Sequence, residues 1–297
     1  MLLLFLTFLL AHFAADFVFQ GHRLIQLKKK HLHQGLALHS LCHLVITMLA
    51  VSLYTVIVGD PVDITWGTMA VAAFFVAILH YLIDWMKVAS GKRFTNTIIS
   101  AGLFLIDQLL HVISIIVVLH TMGLIRYSFA AFKADSLQFL FGHMIFSDPV
   151  KLMLLVIIFI LVTQGAGYFL NILLRNLGPT PSLGKGTYSI ADEQTQIKTY
   201  HNEQGEEAQE VITVKTERIY RDSPHHIGRY IGMIERVLII IFIVQGIPHG
   251  MMFLIAVKSL ARFKQFESKE FAEYYLVGSL SSALIALVFG YAVLRII

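Results

Sequence analysis

The chain has 297 residues, 57% of them hydrophobic and 14% charged, with a mean hydropathy of +0.72. These values exclude an ordinary soluble domain and indicate an integral membrane protein. The lone cysteine, Cys42, excludes an internal disulfide framework and a thiolate-rich metal site, and the formal charge of +4 reports topology rather than nucleic-acid binding.

Residues 1–20 form the first apolar run. It lacks a basic leading segment, and its polar residues sit where a signal peptide would be unbroken, so it reads as a mature span. The basic loop "QGHRLIQLKKKHLHQ" follows, then apolar runs at 34–58, 66–89 and 98–123. These four spans make up an expected metal-binding membrane domain, 1–123. Residues 124–175 read as an interfacial segment followed by a fifth span, 150–175.

Residues 176–227 are the sizeable polar piece, expected as a cytoplasmic insert or linker. "GPTPSLGKGTYS" is a linker by composition, and "TQIKTY" and "VITVKTERIY" either pair as a β-hairpin or belong to a flexible tether. C-terminal membrane helices, 228–297, complete the chain, with spans expected at 229–246, 250–264 and 274–295. "IVQGIPHGMM" favours a turn between the first two, although one broken helix over 229–264 is the alternative. The expected fold is an all-α polytopic helix bundle of about 8 transmembrane helices.

Basic residues fall at alternate span ends: Arg23 and Lys28–Lys30, then Lys87, Lys92 and Arg93, then Lys258, Arg262 and Lys264. The positive-inside rule places these loops in the cytoplasm and both termini outside a bacterial inner membrane.

Each of the first four spans carries a polar pair: His12 and Asp16 in "HFAAD", His39 and His43 in "HSLCH", His80 and Asp84 in "HYLID", Asp107 and His111 in "DQLLH". A spacing of four puts both side chains on one helix face, from which they can serve one metal ion or two adjacent ions. Counted from the expected cytoplasmic ends, three pairs lie roughly five to ten residues deep and the fourth about four deeper, so at about 1.5 Å per residue all can share one layer. An unpaired Asp in a membrane helix costs about 2.5–3.5 kcal/mol, whereas a structural metal site returns about 10–16 kcal/mol. All eight residues are therefore candidate ligands for a divalent metal, expected as two ions, with zinc favoured and iron or manganese possible. Gln20 and Gln108 are candidates to orient ligands or substrate, and Arg23, Lys28, Lys29 and Lys30 to bind an anionic headgroup.

In order, "LAHFAADFVFQ", "LALHSLCH", "LHYLIDWMK" and "FLIDQLLH" resemble a prokaryotic polytopic membrane family defined only as a domain of unknown function (3307), over about residues 8–120. A looser likeness to membrane-bound metal-dependent hydrolases rests on His and Asp pairs near helix ends. The expected function is a membrane-embedded metal-dependent hydrolase with a dinuclear His/Asp centre near the cytoplasmic leaflet, acting on a lipid or lipid-linked substrate. Asp84 and Asp107 are its candidate proton acceptors. The alternatives are a divalent-metal transporter using the same pairs, and a di-iron oxidase or a structural metal site. Membrane lipids are the expected partners, with a second copy of the chain or a soluble protein at 176–227 as further candidates.

Overall fold

The computed structural model describes residues 1–297 apart from 60–64, 92–95, 127–132, 136, 140–143, 178–186, 202–206, 222–226 and 268. Most of the linker, and much of the expected interfacial segment, thus lie outside the described residues.

Helix α1 (Leu2–Phe13) runs into a wider π-turn (Ala14–Val18), in which the Phe19 amide reaches back to the Ala14 carbonyl at 2.9 Å. The chain then bends by 81° into α2 (His22–Lys30). Sequence reading treats this stretch as a loop. It is helical because Leu, Gln and Lys are good helix formers, and because it lies against the start of the next helix, α3 (Leu32–Val58). Gly35 makes that approach possible: a Cβ there would stand 2.5 Å from the backbone N and Cα of Lys28.

Helices α4 (Trp66–Gly91) and α5 (Thr97–Thr121) complete the first unit, and the Asn96 side chain caps α5 by accepting from the Ile98 amide at 2.8 Å. Each of its long helices carries a buried column at a spacing of four. The columns are Leu4, Phe8, His12 and Asp16 along α1 and its π-turn, and His39, His43, Thr47 and Val51 on α3. The other two are Ala72, Val76, His80 and Asp84 on α4, and Asp107, His111, Ile115 and Leu119 on α5. In every column the apolar members lie toward one end of the unit and the ionisable ones toward the other. Leu4, Phe8, Val51, Ala72, Val76, Ile115 and Leu119 form one apolar core, capped by a polar layer.

Helix α6 (Asp148–Ile160), a second π-turn (Leu161–Gly165) and α7 (Ala166–Leu173) run together along the first unit. The two π-turns touch, with the Phe17 ring against Gly165. Strands β1 (Thr187–His201) and β2 (Glu207–Arg221) pair antiparallel, with Thr187 opposite Arg221 and His201 opposite Glu207.

Helices α8 (Ile227–Val244) and α9 (His249–Ala261) form a hairpin about Gly246, whose φ of 69° supplies the left-handed step. Lys258 Nζ meets Glu235 Oε2 at 2.7 Å, equally far from the turn on either side, so the two helices run back along one another. Helix α10 (Lys269–Ile296) packs on α8. Arg236 of α8 is buried and donates to the carbonyls of Val162 and Thr163, at 2.6 and 3.1 Å, and to Ser282 Oγ at 3.1 Å. Its guanidinium thus satisfies carbonyls within the π-turn and pins α8, α10 and that turn together.

Among the described residues, five helical segments are long and apolar enough to cross a membrane: Leu32–Val58, Trp66–Ala89, Thr97–Thr121, Asp148–Leu173 and Lys269–Ile296; counting the bent pair at the N-terminus makes six. Between 22% and 33% of their most apolar windows is buried, so broad apolar faces point outward, as lipid requires. Helices occupy the other expected spans but do not meet that test. Helix α9 has 13 residues, about 20 Å against a hydrocarbon core of about 30 Å. Helix α8 carries Arg229, Glu235 and Arg236.

Candidate metal centre

The polar ends of the four columns meet. Asp16 Oδ1 lies 3.0 Å from both His39 Nε2 and His43 Nε2, and 3.8 Å from His80 Nε2. These groups form one potential ligand set, and His80, Asp84 and His111 form a second, the ligand atoms of each lying within 4.8 Å of one another. Donor atoms at about 2.0–2.1 Å from a tetrahedral Zn²⁺ stand about 3.3–3.4 Å apart, so the spacing fits one ion without rearranging the helices. All eight pair residues are buried.

His80 belongs to both sets, and an imidazole nitrogen has one lone pair to give. Two members of the cluster lie outside the sets. His12 Nε2 is 3.7 Å from Asp16 Oδ2, and its ring packs 5.0 Å from that of His111. Asp107 Oδ1 is 3.5 Å from His111 Nε2.

Several buried nitrogens here have no hydrogen-bond partner: His12 Nε2, both ring nitrogens of His80 and both of His111. Buried polar atoms are ordinarily paired; in each neutral imidazole one nitrogen carries a lone pair that a cation could take, and the other is an N–H donor. The donor set, imidazoles with carboxylates and no thiolate, suits Zn²⁺, Fe²⁺ or Mn²⁺.

Two lysines close the polar layer. Lys28 Nζ meets Asp84 Oδ2 at 2.8 Å, and Lys87 Nζ meets Asp107 Oδ2 at 2.6 Å. Of the four basic residues expected at a headgroup, Lys28 alone reaches the cluster, and Arg23, Lys29 and Lys30 are exposed. Sequence reading passed over Lys87 as a site residue, although its spacing of three from Asp84 puts both on one face of α4. Gln108 donates to Asp16 Oδ2 at 3.0 Å and to Asp107 Oδ2 at 3.3 Å, joining two of the carboxylates. Gln20, with its amide oriented to suit its neighbours, donates to the Asp16 carbonyl at 3.2 Å and accepts from Lys28 Nζ at 3.0 Å.

A cavity of about 70 Å³ opens beside the cluster, lined by Asp16, Gln20, Lys28, His39, Asp84, Lys87 and Gln108 on its polar side. Phe17, Phe104 and Tyr168 line the rest. Tyr168 comes from α7, so the second part of the chain completes a site whose ionisable groups all belong to the first.

No curated protein and no solved structure matches the chain. Residues 4–140, which carry all four pairs and both lysines, match the model of the family described as "Protein of unknown function (DUF3307)".

Proposed function

We propose that the chain is a membrane-embedded, metal-dependent hydrolase whose divalent ion, zinc in the first instance, is held by the His/Asp cluster, and whose substrate is a lipid or lipid-linked molecule. The observation that carries this reading is the convergence of four helices' ionisable pairs into one buried layer beside a cavity. A purely structural metal would need no cavity.

Asp16, His39, His43 and His80 would hold the ion on one side, and Asp84 and His111 are placed to share it through His80. An ion bound there supplies Lewis-acid polarisation of a carbonyl or phosphoryl oxygen and a water whose pKa falls toward about 7. The chain's own groups do the rest. Asp107 stands outside both ligand sets, with Oδ1 3.5 Å from His111 Nε2, so it can take a proton from a water at the cluster. Lys87 and Gln108 hold its other oxygen and so orient it. Phe17, Phe104 and Tyr168 limit water entry and offer an apolar wall to a lipid chain.

The test is metal analysis and lipid hydrolysis on the full chain purified in detergent. Wild-type protein is expected to hold metal stoichiometrically through dialysis and to release a product from radiolabelled membrane lipid. His80→Ala, which removes the shared ligand, is expected to abolish both. Full metal content in His80→Ala and Asp16→Asn would dismiss the ligand assignment. Rapid metal exchange together with uptake into proteoliposomes would replace the enzyme with a transporter.

A further inference from the structure

We infer that Lys28 and Lys87, with Gln20 and Gln108, form an anion subsite that presents a singly charged phosphoryl group, the phosphodiester of a membrane lipid headgroup or a free phosphate, to the metal cluster. This rests on the metal reading above and narrows its substrate class.

The first argument is placement. Both ammonium groups line the same cavity as Asp16, His39 and Asp84, and they enter it from different elements, α2 and α4. Lys28 is held there by design of the backbone: α2 folds back on α3 at Gly35, where a Cβ would lie 2.5 Å from Lys28 itself. A lysine needed only as a topology signal requires no such close packing, and Lys29 and Lys30 show the alternative by remaining exposed.

The second argument is charge. With neutral imidazoles, the three carboxylates Asp16, Asp84 and Asp107 face two ammonium groups, Lys28 and Lys87, which leaves one negative charge. One divalent cation turns this into one positive charge, which a monoanion neutralises. Two cations would leave three positive charges in a buried layer, so the lysines favour a single ion.

The third argument is competition. Lys28 bonds Asp84 Oδ2, and Asp84 is a member of the second ligand set. A cation that draws on Asp84 weakens the hold of that carboxylate on Lys28 and turns its ammonium toward the cavity. The volume suits the ligand: a cavity of about 70 Å³ has room for a few waters or one small oxyanion. Gln20 accepts from Lys28 Nζ, and Gln108 Nε2 donates to both Asp16 and Asp107, so both amides border the same space and hold its charged groups. The aromatic wall adjoins it, with Lys87 Nζ 5.7 Å from the Phe104 ring centre, so an acyl chain can leave the phosphoryl group along an apolar surface.

Binding of dihexanoyl phosphatidylglycerol and of inorganic phosphate to the full chain in detergent tests this by calorimetry, with and without added Zn²⁺ and with metal content measured on every sample. Wild-type protein is expected to bind one of the two probes, more tightly with Zn²⁺. Lys28→Ala and Lys87→Ala are each expected to weaken that binding about tenfold, the worth of one charge-assisted hydrogen bond, while metal content is unchanged. Lys29→Ala and Lys30→Ala are expected to bind as wild type does. Preference for the phospholipid assigns the subsite to a headgroup, and preference for phosphate assigns it to the free anion. Unchanged binding in both cavity variants, an equal loss in Lys29→Ala, or loss of metal from Lys28→Ala and Lys87→Ala would overturn the inference. A wild-type protein that binds no metal but still shows lysine-dependent binding would sink the metal reading and leave the subsite standing.

Discussion

The three carboxylates of the polar layer differ in what surrounds them, and that difference separates their roles. Asp16 gives one oxygen to two imidazoles, and Asp84 lies between His80, His111 and Lys28. Asp107 belongs to neither ligand set, and its Oδ1 lies 3.5 Å from His111 Nε2. Asp107→Asn is therefore expected to keep wild-type metal content and to lower kcat by about 10²–10⁴, the usual contribution of a positioned general base. Asp16→Asn is expected to lose metal instead. Elemental analysis beside single-turnover hydrolysis reads both, and metal loss from Asp107→Asn would return that residue to the ligands. The candidate ligands themselves were legible from the sequence because a spacing of four is a local property: His12 with Asp16 and His80 with Asp84 need only an α-helical turn to share a face.

At the scale of the element, the site depends on a short helix that sequence reading left as a loop. Its amphipathic stretch from Leu24 to Lys30 gains stability only where Gly35 lets it lie against α3. Gly35→Ala forces α2 outward, and overpacking of this kind costs about 1–3 kcal/mol. The variant is expected to melt a few degrees lower in detergent and to lose phosphoryl binding as Lys28→Ala does, with metal content retained. Thermal unfolding and the calorimetric assay check this, and wild-type binding in Gly35→Ala would detach α2 from the subsite. The same scale explains the helix pair at the C-terminal end. Gly246 and Pro248 favour a turn from the sequence, and the Glu235–Lys258 ion pair shows that the chain doubles back there.

For the whole molecule, the metal cluster and the β-ribbon are separable. Every residue of the polar layer comes from α1 to α5 and its π-turn, and the cavity takes only Tyr168 from later in the chain. Replacement of 187–221 by a short Gly/Ser linker is expected to leave metal stoichiometry unchanged, because none of the described residues of the hairpin belongs to the ligand sets or lines the cavity. Metal loss in that variant would tie the ribbon to the centre.

By itself the sequence determined that the chain is helical and apolar, and that eight ionisable groups sit on single faces of four helices at a common depth. These are consequences of helical periodicity and of a bilayer's thickness, both of which act on neighbours along the chain. Only the tertiary structure decided that His80 is shared between two ligand sets, that Asp107 stands apart, and that Lys28, Lys87 and Tyr168 border one cavity. Among the described residues it gives five helical segments, or six with the bent pair, the length and composition to cross a membrane, and does not confirm the expected count of about eight. The reason is the same throughout: which lone pairs and charges meet depends on how helices distant in sequence pack, and a local pattern does not carry that information.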